Sequence, residues 1–335
     1  MVHLALVLDF SLAVTTPPQR LEELYQQRQL PLLQDLLKWP HAAITLTMNS
    51  WLLQHWLDQG WEAGLQALRE LYDFGKVEVC GTASHHAILP LVPESVAFRQ
   101  VRRNSRLLQQ LLHPEWRPAG FAPPQLGYGH ELSRVLQPLG FNWCLADDSA
   151  YAALHGTVPG QHIVRCAGLS VLMSSRLWSE RLQHLGNFSV TQFARNHHQE
   201  LKRWLDGAER GYQVLRLPGE AAEPSMLRKF VDAHQNQGNH WLHASQLFDH
   251  FPLMEGDVPP GSCTTSVEEF WNGNFFSPWQ AQGEAWRLSE QAISGLEGVQ
   301  DRLDALLTSS TFAAATPEQL EALRRLVEWC GELQV

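Results

Sequence analysis

Seven short apolar runs recur along the chain, with helical stretches or long connections between them. Most of these runs are almost continuously hydrophobic, which is typical of parallel strands that are buried on both faces. Because strands alternate with helices, the pattern predicts a parallel sheet with right-handed crossovers. We therefore expect an α/β fold, a seven-stranded parallel (β/α) barrel. The predicted strands are residues 4–10, 44–49, 76–82, 120–124, 142–148, 169–175 and 212–217.

The pattern changes after Asp257. A segment rich in Gly, Pro, Ser and Trp, residues 258–282, leads into two amphipathic stretches without strand signals, 285–307 and 317–333. The sequence therefore predicts two domains, a barrel over residues 1–257 and a C-terminal helical region over residues 258–335. Helical stretches of the barrel are predicted at residues 20–39, 50–74, 94–112, 129–139 and 191–207.

Polar side chains follow the predicted strands where each strand ends. In a parallel barrel the carboxyl ends of the strands share one face, and this face carries the active site. Polar residues also end strands in proteins of every kind, so their position alone does not separate a functional rim from ordinary strand ends. The rim residues are Thr47, Asn49, Trp51, His85, His86, Pro123, Pro124, Gln125, Asp147, Asp148, Ser174, Ser175, Arg176, Pro218, Gly219 and Glu220.

Two adjacent histidines, His85 and His86, follow the third predicted strand and precede an extended segment that contains Pro90 and Pro93. The prolines remove backbone donors and keep their neighbours extended, so the segment is not helical. Imidazoles held at the end of a buried strand are candidate functional groups of a barrel rim. The alternative is that one histidine caps the strand and the other is solvated.

Charge and cysteine usage argue against several classes of function. The formal charge is −10, with 25 basic and 35 acidic residues and no basic run, which argues against a nucleic-acid partner. The cysteines are scattered, and no Cys or His cluster has zinc-ligand spacing, so we expect no metal and no other cofactor. Since no apolar run is long enough for a membrane and the N-terminus lacks a basic leader, we expect a soluble, cytoplasmic protein.

The order and spacing of several motifs resemble glycoside hydrolase family 57, whose members cleave or transfer α-glucans. Residues 86–90 resemble the family's His-x-Ile-Leu-Pro segment, and residues 120–125 resemble its Pro-Pro-Glu turn. The resemblance covers nearly the whole chain and implies an incomplete seven-stranded barrel with a helical extension. The other matching segments are residues 44–53 and 68–93, the helix and Gly-Phe strand at 131–148, the Asp-Gly-Glu strand at 212–220, the Trp-Leu-x-x-Ser segment at 239–251, and the tryptophan-rich segment at 271–286.

The resemblance implies a retaining mechanism, which needs a nucleophile and an acid/base about 5 Å apart. The family's nucleophile is the glutamate of the Pro-Pro-Glu turn, and Gln125 occupies the matching position. The acid/base is the aspartate of Asp-Gly-Glu, and Pro218 occupies that position. The family's N-terminal His-Gln-Pro falls near residues 11–13, which are Ser-Leu-Ala. Since an amide is a poor nucleophile and proline has no proton to give, we expect the family's standard activity to be lost.

The predicted cleft still offers groups that suit a sugar. Histidine, arginine and carboxylate side chains supply donors and acceptors, and tryptophan rings supply flat apolar faces. The predicted ligand is therefore an α-glucan or another oligosaccharide. The predicted substrate-binding residues are His85, His86, Asp148, Arg176, Trp271 and Trp279, and the positions assigned to catalysis are Gln125, Pro218 and Glu220.

Three functions remain open. The first is a non-catalytic glucan-binding or regulatory protein that associates with other glucan-metabolising enzymes. The second is a divergent glycosidase that uses Glu220 with Asp148 or Glu223 as acid and nucleophile. The third, a zinc-dependent polysaccharide deacetylase, is disfavoured, because none of the 16 histidines has another histidine four residues on, the spacing that puts two imidazoles on one helix face.

Overall fold

The computed structural model describes residues 1–12, 16–40, 42–185 and 189–280. Ten strands form one sheet, and each of the seven predicted apolar runs contains one of them. Three short strands were not predicted, the sixth, ninth and tenth along the chain. The strands are β1 Val2–Asp9, β2 Ile44–Thr47, β3 Val77–Cys80, β4 Gly120–Phe121, β5 Trp143–Asp147, β6 Ile163–Cys166, β7 Leu169–Ser174, β8 Gly211–Pro218, β9 His240–Trp241 and β10 Leu253–Glu255.

Eleven α-helices accompany the strands within the described residues: α1 Pro18–Leu24, α2 Leu30–Leu37, α3 Ser50–Asp58, α4 Glu62–Asp73, α5 Glu94–Leu111, α6 Leu132–Leu136, α7 Asp148–His155, α8 Arg176–Gln183, α9 Val190–Trp204, α10 Pro224–Gln235 and α11 Val267–Trp271. The predicted helix 50–74 is two helices, because the chain turns at Gly60, where φ is +69°. The predicted helical stretches 285–307 and 317–333 lie outside the described residues. Within the described part of the chain, no helix has both the length and the apolar character needed to cross a membrane.

The sheet is mostly parallel. β1 pairs with β8 on one side and β2 on the other, and β2 continues to β3. β5 pairs with both β4 and β7, and β7 meets β8 at Ser174 and Val214. The exception is β6, a strand that was not predicted, which is antiparallel to β7. Only the two residues Ala167 and Gly168, both with positive φ, join these strands, and so short a loop can form only a hairpin.

Alternate residues of each strand face opposite layers. On β1, Ala5 and Val7 belong to a cluster inside the sheet, whereas Leu4, Leu6 and Leu8 belong to the larger cluster between strands and helices. All eight residues of β1 are buried, as expected of a strand covered on both faces. Burial of each large aliphatic side chain contributes about 1.5–3 kcal/mol. Asp9 continues the inward-facing series at the carboxyl end of the strand.

The amino-terminal end of the strands is closed by a polar network and a short 3₁₀ helix, Ala244–Asp249. The half-buried carboxylate of Glu78 on β3 accepts hydrogen bonds from Thr45 Oγ1 at 3.0 Å and from the backbone N–H and hydroxyl of Ser245. Trp143 Nε1 donates to the same serine hydroxyl. Because this end of the interior is filled, the opposite, carboxyl end is the one that is open to a ligand.

Candidate functional site

A cavity of about 310 Å³ lies at the carboxyl ends of the strands. It is lined by residues from the ends of β1, β5, β7 and β8 and from the loops that follow β3 and β4, which is the arrangement predicted for a barrel rim. Its lining combines charged, amide and hydroxyl groups with a few apolar side chains. The lining residues are Asp9, Phe10, Ser11, Leu12, Leu24, Gln29, His86, Gln125, Leu126, Asp147, Ser174, Arg176, Ser179, Glu180, Gln183, Arg216, Pro218, Gly219, Glu220 and Cys263.

A buried ion pair between Asp9 and Arg216 forms part of the cavity wall. Arg216 Nη2 and Nε lie 2.5 and 3.2 Å from Asp9 Oδ2, and the backbone N–H of Ser11 donates to Asp9 Oδ1 at 3.0 Å. Burial opposes ionisation of Asp9, but Arg216 and then His86 hold the pKa of this carboxyl below its ordinary value. The sequence analysis missed both members. The sequence feature that could have identified them is a charged residue at an inward-facing position of an otherwise apolar strand.

A second pair, Asp147 and Arg176, connects the strand ends to the segment after Asp257. Arg176 Nε lies 3.4 Å from Asp147 Oδ1, and its Nη1 and Nη2 donate to the backbone carbonyls of Thr265 and Ser262 at 2.8 and 2.9 Å. Both terminal nitrogens of this guanidinium therefore hold the segment after Asp257 to the strand ends. Burial raises the pKa of the Asp147 carboxyl above its ordinary value, with Arg176 opposing that shift. The cavity wall thus includes residues of the predicted C-terminal region.

Gln125 lies in the turn after β4 with its side chain at the cavity. Its backbone has a positive φ of 55°, and the neighbouring Leu126 and the loop residue His86 also have positive φ values, 52° and 64°. Such backbone conformations cost of order 1–3 kcal/mol each for non-glycine residues and cluster at functional sites. The thiol of Cys263 donates to Gln125 Oε1 at 3.3 Å, and the Cys263 N–H donates to the Gln125 carbonyl at 2.9 Å.

Pro218 and Glu220 border the cavity at the end of β8. Pro218 stands beside Asp9 in the β1–β8 register and contributes an apolar ring. Glu220 is half exposed at the mouth, where Arg20 Nη2 lies 3.3 Å from its Oε2. Gln125, Pro218 and Glu220, which come from distant parts of the chain, thus border one space. Their roles in chemistry remain a prediction.

The other predicted binding residues divide into two groups. His86 and Arg176 line the cavity, and burial lowers the pKa of His86 below its ordinary value, with Asp9 opposing. His85 is outside the cavity lining, next to Gln100, whose side-chain carbonyl accepts from the His85 N–H at 2.9 Å. Asp148 accepts from the Arg176 N–H at 3.0 Å and faces a different cavity, between α8 and α9.

The two tryptophans named as sugar platforms also lie away from the cavity lining. Trp271, at the end of α11, is 63% exposed, whereas Trp279 is 6% exposed and packed in a short turn. For these two residues, and for His85 and Asp148, contact with a substrate stays a prediction without support from the cavity geometry. Asp148 is turned away because consecutive residues at a strand end point to opposite sides, and Asp147 takes the inward position.

Gln29 is a cavity residue that the sequence analysis missed. It ends a short π-helical turn, Tyr25–Gln29, is 2% exposed, and its Oε1 has no hydrogen-bond partner among the described residues. The hydroxyl of Ser11, which also lines the cavity, likewise has none within that part of the chain. Because a buried polar atom without a partner is costly, these two atoms are ready to bond a polar ligand. No periodicity in the sequence marks Gln29, since the π-helical turn is what directs it inward.

Solved structures with the same fold include a glucanotransferase, a branching enzyme and an amylase. A 4-α-glucanotransferase from Thermococcus litoralis aligns with a TM-score of 0.72 at 15% identity, over 91% of this chain and 55% of that chain. A GH57-type branching enzyme from Pyrococcus horikoshii aligns with a TM-score of 0.70 at 13% identity, over 97% of this chain and 88% of that one. The α-amylase AmyC from Thermotoga maritima aligns with a TM-score of 0.70 at 12% identity, over 99% of this chain and 92% of that one. At these identities the likeness shows the fold.

The present chain therefore spans about half the length of the glucanotransferase and most of the length of the other two enzymes. No curated protein sequence matches it significantly. A family model, in contrast, matches residues 14–248, which is well over half of the chain and includes every strand from β2 to β9. That match agrees with the motifs at residues 86–90 and 120–125 and with the fold. The chain belongs to glycosyl hydrolase family 57.

Proposed function

We propose that the protein binds an α-glucan or a related oligosaccharide in the 310 Å³ cavity and lacks the retaining hydrolysis of its family. The observation that carries this proposal is that Gln125 and Pro218, at the two positions matched to the catalytic carboxylates, border the same cavity. A glutamine amide does not form a glycosyl ester, and a proline ring donates no proton. General acid catalysis alone contributes about 10²–10⁴-fold, so loss of both groups leaves little of the standard mechanism.

The cavity retains the chemistry of a binding site. Ser11 Oγ and Gln29 Oε1 are buried polar atoms without partners in the described part of the chain, and Glu220 offers a half-exposed carboxylate at the mouth. Such groups suit the hydroxyls of a neutral polyol, because each hydroxyl both donates and accepts. The relatives with solved structures are named as enzymes of α-glucans, which favours this class of sugar. A binding or regulatory role beside active glucan enzymes follows from this proposal.

Turnover measurements test the catalytic half of the proposal. We expect the wild-type protein to cleave or transfer maltooligosaccharides at or near the background rate. The double variant Gln125→Glu with Pro218→Asp restores both missing groups, and Gln125→Glu alone is its matched control, since it lacks the acid/base. Activity in the double variant only would support the proposal. Robust wild-type turnover that Glu220→Gln abolishes would contradict it and make Glu220 the acting carboxylate.

Binding measurements test the other half. We expect Gln29→Ala to weaken maltooligosaccharide binding roughly 2- to 10-fold, because one hydrogen bond contributes about 0.5–1.5 kcal/mol. Isothermal titration calorimetry on the two proteins gives the comparison. Gln192→Ala, on the exposed face of α9 and outside the cavity, is the matched control and should bind like the wild type. Equal affinity of Gln29→Ala and the wild type would remove Gln29 from the site.

A divergent hydrolase or transferase is the second candidate function, and the position of Asp147 favours it. This carboxyl lines the cavity, and burial raises its pKa, as suits a proton donor. Glu220 would then be the second carboxylate. The other carboxylates named from the sequence are engaged elsewhere, because Asp148 accepts from the Arg176 N–H and Glu223 accepts from the N–H groups of the first turn of α10. Turnover lost in both Asp147→Asn and Glu220→Gln would identify this function.

We also infer that the seven parallel strands close into a barrel. A parallel bridge between Gly81 and Phe121 connects the end of β3 to β4, with hydrogen bonds from Gly81 N–H to the Gly120 carbonyl and from Ala122 N–H to the Gly81 carbonyl, both at 2.9 Å. Ser174 and Val214 make the corresponding connection between β7 and β8. These two links supply the contacts that a ring of β1, β2, β3, β4, β5, β7 and β8 requires.

A further inference from the structure

We infer that His130, Cys166 and Asp257 form a binding site for a divalent ion of the zinc class, which fastens the segment after β10 to the barrel. The potential ligand atoms of these three side chains all lie within 4.8 Å of one another. The group is outside the sugar cavity and independent of the proposed function. His130 follows the loop after β4, Cys166 ends β6, and Asp257 comes two residues after β10.

The distances between the ligand atoms suit a tetrahedral ion. His130 Nε2 lies 3.1 Å from Asp257 Oδ1, and Cys166 Sγ lies 3.9 Å from the same oxygen. Zinc bonds of about 2.0–2.3 Å at tetrahedral angles place neighbouring ligand atoms roughly 3.3–3.7 Å apart. The two separations from Asp257 Oδ1 differ from this range by a few tenths of an ångström, and the ligand atoms of His130 and Cys166 lie within 4.8 Å of each other. His130 and Asp257 are exposed, so rotation of these two side chains can make the adjustment.

The types of donor select the class of metal. A thiolate together with an imidazole favours zinc or a similar transition metal over magnesium and calcium, which prefer oxygen ligands. One outer contact lies on the backbone of a ligand residue: a ring nitrogen of His155 lies 3.0 Å from the Asp257 carbonyl. Three protein ligands leave a fourth position for water.

One existing contact competes with the metal. His130 Nε2 lies 2.8 Å from the backbone carbonyl of Val258, and this hydrogen bond requires a proton on Nε2. Metal binding requires the other tautomer, in which Nε2 presents its lone pair, so the ion exchanges this hydrogen bond for a coordination bond. The competition does not block the site, because the imidazole can carry its proton on Nδ1.

The position of the site gives it a structural role. Residues 258–265 pair with the loop after β4 through the bridge between Tyr128 and Gly261, and they carry Cys263 to the side chain of Gln125. An ion held by Asp257 fixes the start of this segment, and so it helps to position one wall of the sugar cavity. The sequence pattern predicted no metal because Cys166 and Asp257 are 91 residues apart in the chain.

Metal titration tests the inference. We expect chelator-treated wild-type protein to take up one zinc per chain, measured by elemental analysis after gel filtration, and its cobalt derivative to show a thiolate-to-cobalt charge-transfer band. Cys166→Ser should abolish the band and weaken zinc binding by more than the 10- to 100-fold that loss of an outer partner costs. Asp257→Asn should weaken zinc binding without risk to the fold, since this side chain is exposed.

His184→Ala is the matched control, because it removes an exposed imidazole that bonds only its own helix and none of the three proposed ligands. This control should take up one zinc per chain. Addition of zinc should raise the midpoint temperature of thermal unfolding both in the wild type and in this control. Zinc uptake below one tenth of an equivalent in the wild type would overturn the inference. Zinc uptake that is the same in the wild type, Cys166→Ser and Asp257→Asn would also overturn the inference.

Discussion

Replacing Asp9 with alanine is expected to lower the free energy of unfolding by about 3–5 kcal/mol, because the change leaves the buried guanidinium of Arg216 without its carboxylate partner. Arg216 is 15% exposed, Asp9 is 8% exposed, and Arg216 contacts Asp9 Oδ2 through both Nη2 and Nε. Urea denaturation at pH 7 measures the loss. The expected loss is large because both partners are buried. The same contact at the surface would be screened by solvent and would contribute little to the free energy of unfolding.

Two comparisons make the result interpretable. Arg20→Ala breaks the exposed pair with Glu220 and should leave the urea midpoint unchanged. The double variant Asp9→Leu with Arg216→Met removes both charges and should recover much of the loss, because hydrophobic replacements of buried pairs are often neutral or stabilising. A loss below about 1 kcal/mol in Asp9→Ala would mean that water reaches the guanidinium and that the cavity wall is open at this point.

Stability is expected to fall steeply as the pH drops below 6.5, owing to a chain of buried hydrogen bonds centred on two histidines. Asn239 Nδ2 donates to His234 Nδ1 at 2.7 Å, His234 Nε2 to His197 Nδ1 at 3.1 Å, and His197 Nε2 to Gln213 Oε1 at 2.6 Å. In this network each imidazole carries one proton and accepts one hydrogen bond. A second proton on either ring would face a donor instead of an acceptor.

Burial, opposed by the hydrogen bond to Gln213, lowers the pKa of His197 to about 4, and burial together with His197 lowers that of His234 to about 2. The unfolded chain binds these protons near pH 6.5, so it holds more protons than the folded chain below that value. The contribution to stability is therefore complete above pH 6.5 and is lost as the pH falls toward the folded pKa. For His197 the loss between pH 6.5 and 4 is on the order of 3 kcal/mol.

Urea midpoints measured at pH 7 and pH 5 test this expectation. His234→Gln keeps a donor and an acceptor but does not titrate, so its midpoint should change less between the two pH values than that of the wild type. His184→Gln, at an exposed position on the surface, is the matched control and should follow the wild type. Equal pH dependence in the wild type and His234→Gln would contradict the assignment.

Much of the architecture could be predicted because strand periodicity is a local property. The seven apolar runs each contain a strand, and the family resemblance from residues 86–90 and 120–125 agrees with the match over residues 14–248. The short strands β6, β9 and β10 were missed. Arg165, His240 and Glu255 interrupt their apolar residues, so neither alternation nor a continuous apolar run marks these segments.

The candidate site was predicted less completely. Gln125, Pro218, Glu220, His86 and Arg176 line one cavity because residues that follow parallel strands meet at one face, a rule that can be applied to a sequence. Local backbone geometry decided the remainder. Asp147 and Asp148 are adjacent in the chain yet face different cavities, and Gln29 enters the site through a π-helical turn.

The sequence by itself determined the alternation of strands and helices and the membership in glycosyl hydrolase family 57, and it predicted that Gln125 and Pro218 stand at the two carboxylate positions. These depend on residue identity and on short-range spacing. Only the tertiary structure decided that Asp9 pairs with Arg216 across 207 residues and that His130, Cys166 and Asp257 come together. Contacts of this kind depend on strand register and loop paths, which the whole packed chain sets through the burial of its core and the pairing of its buried polar groups.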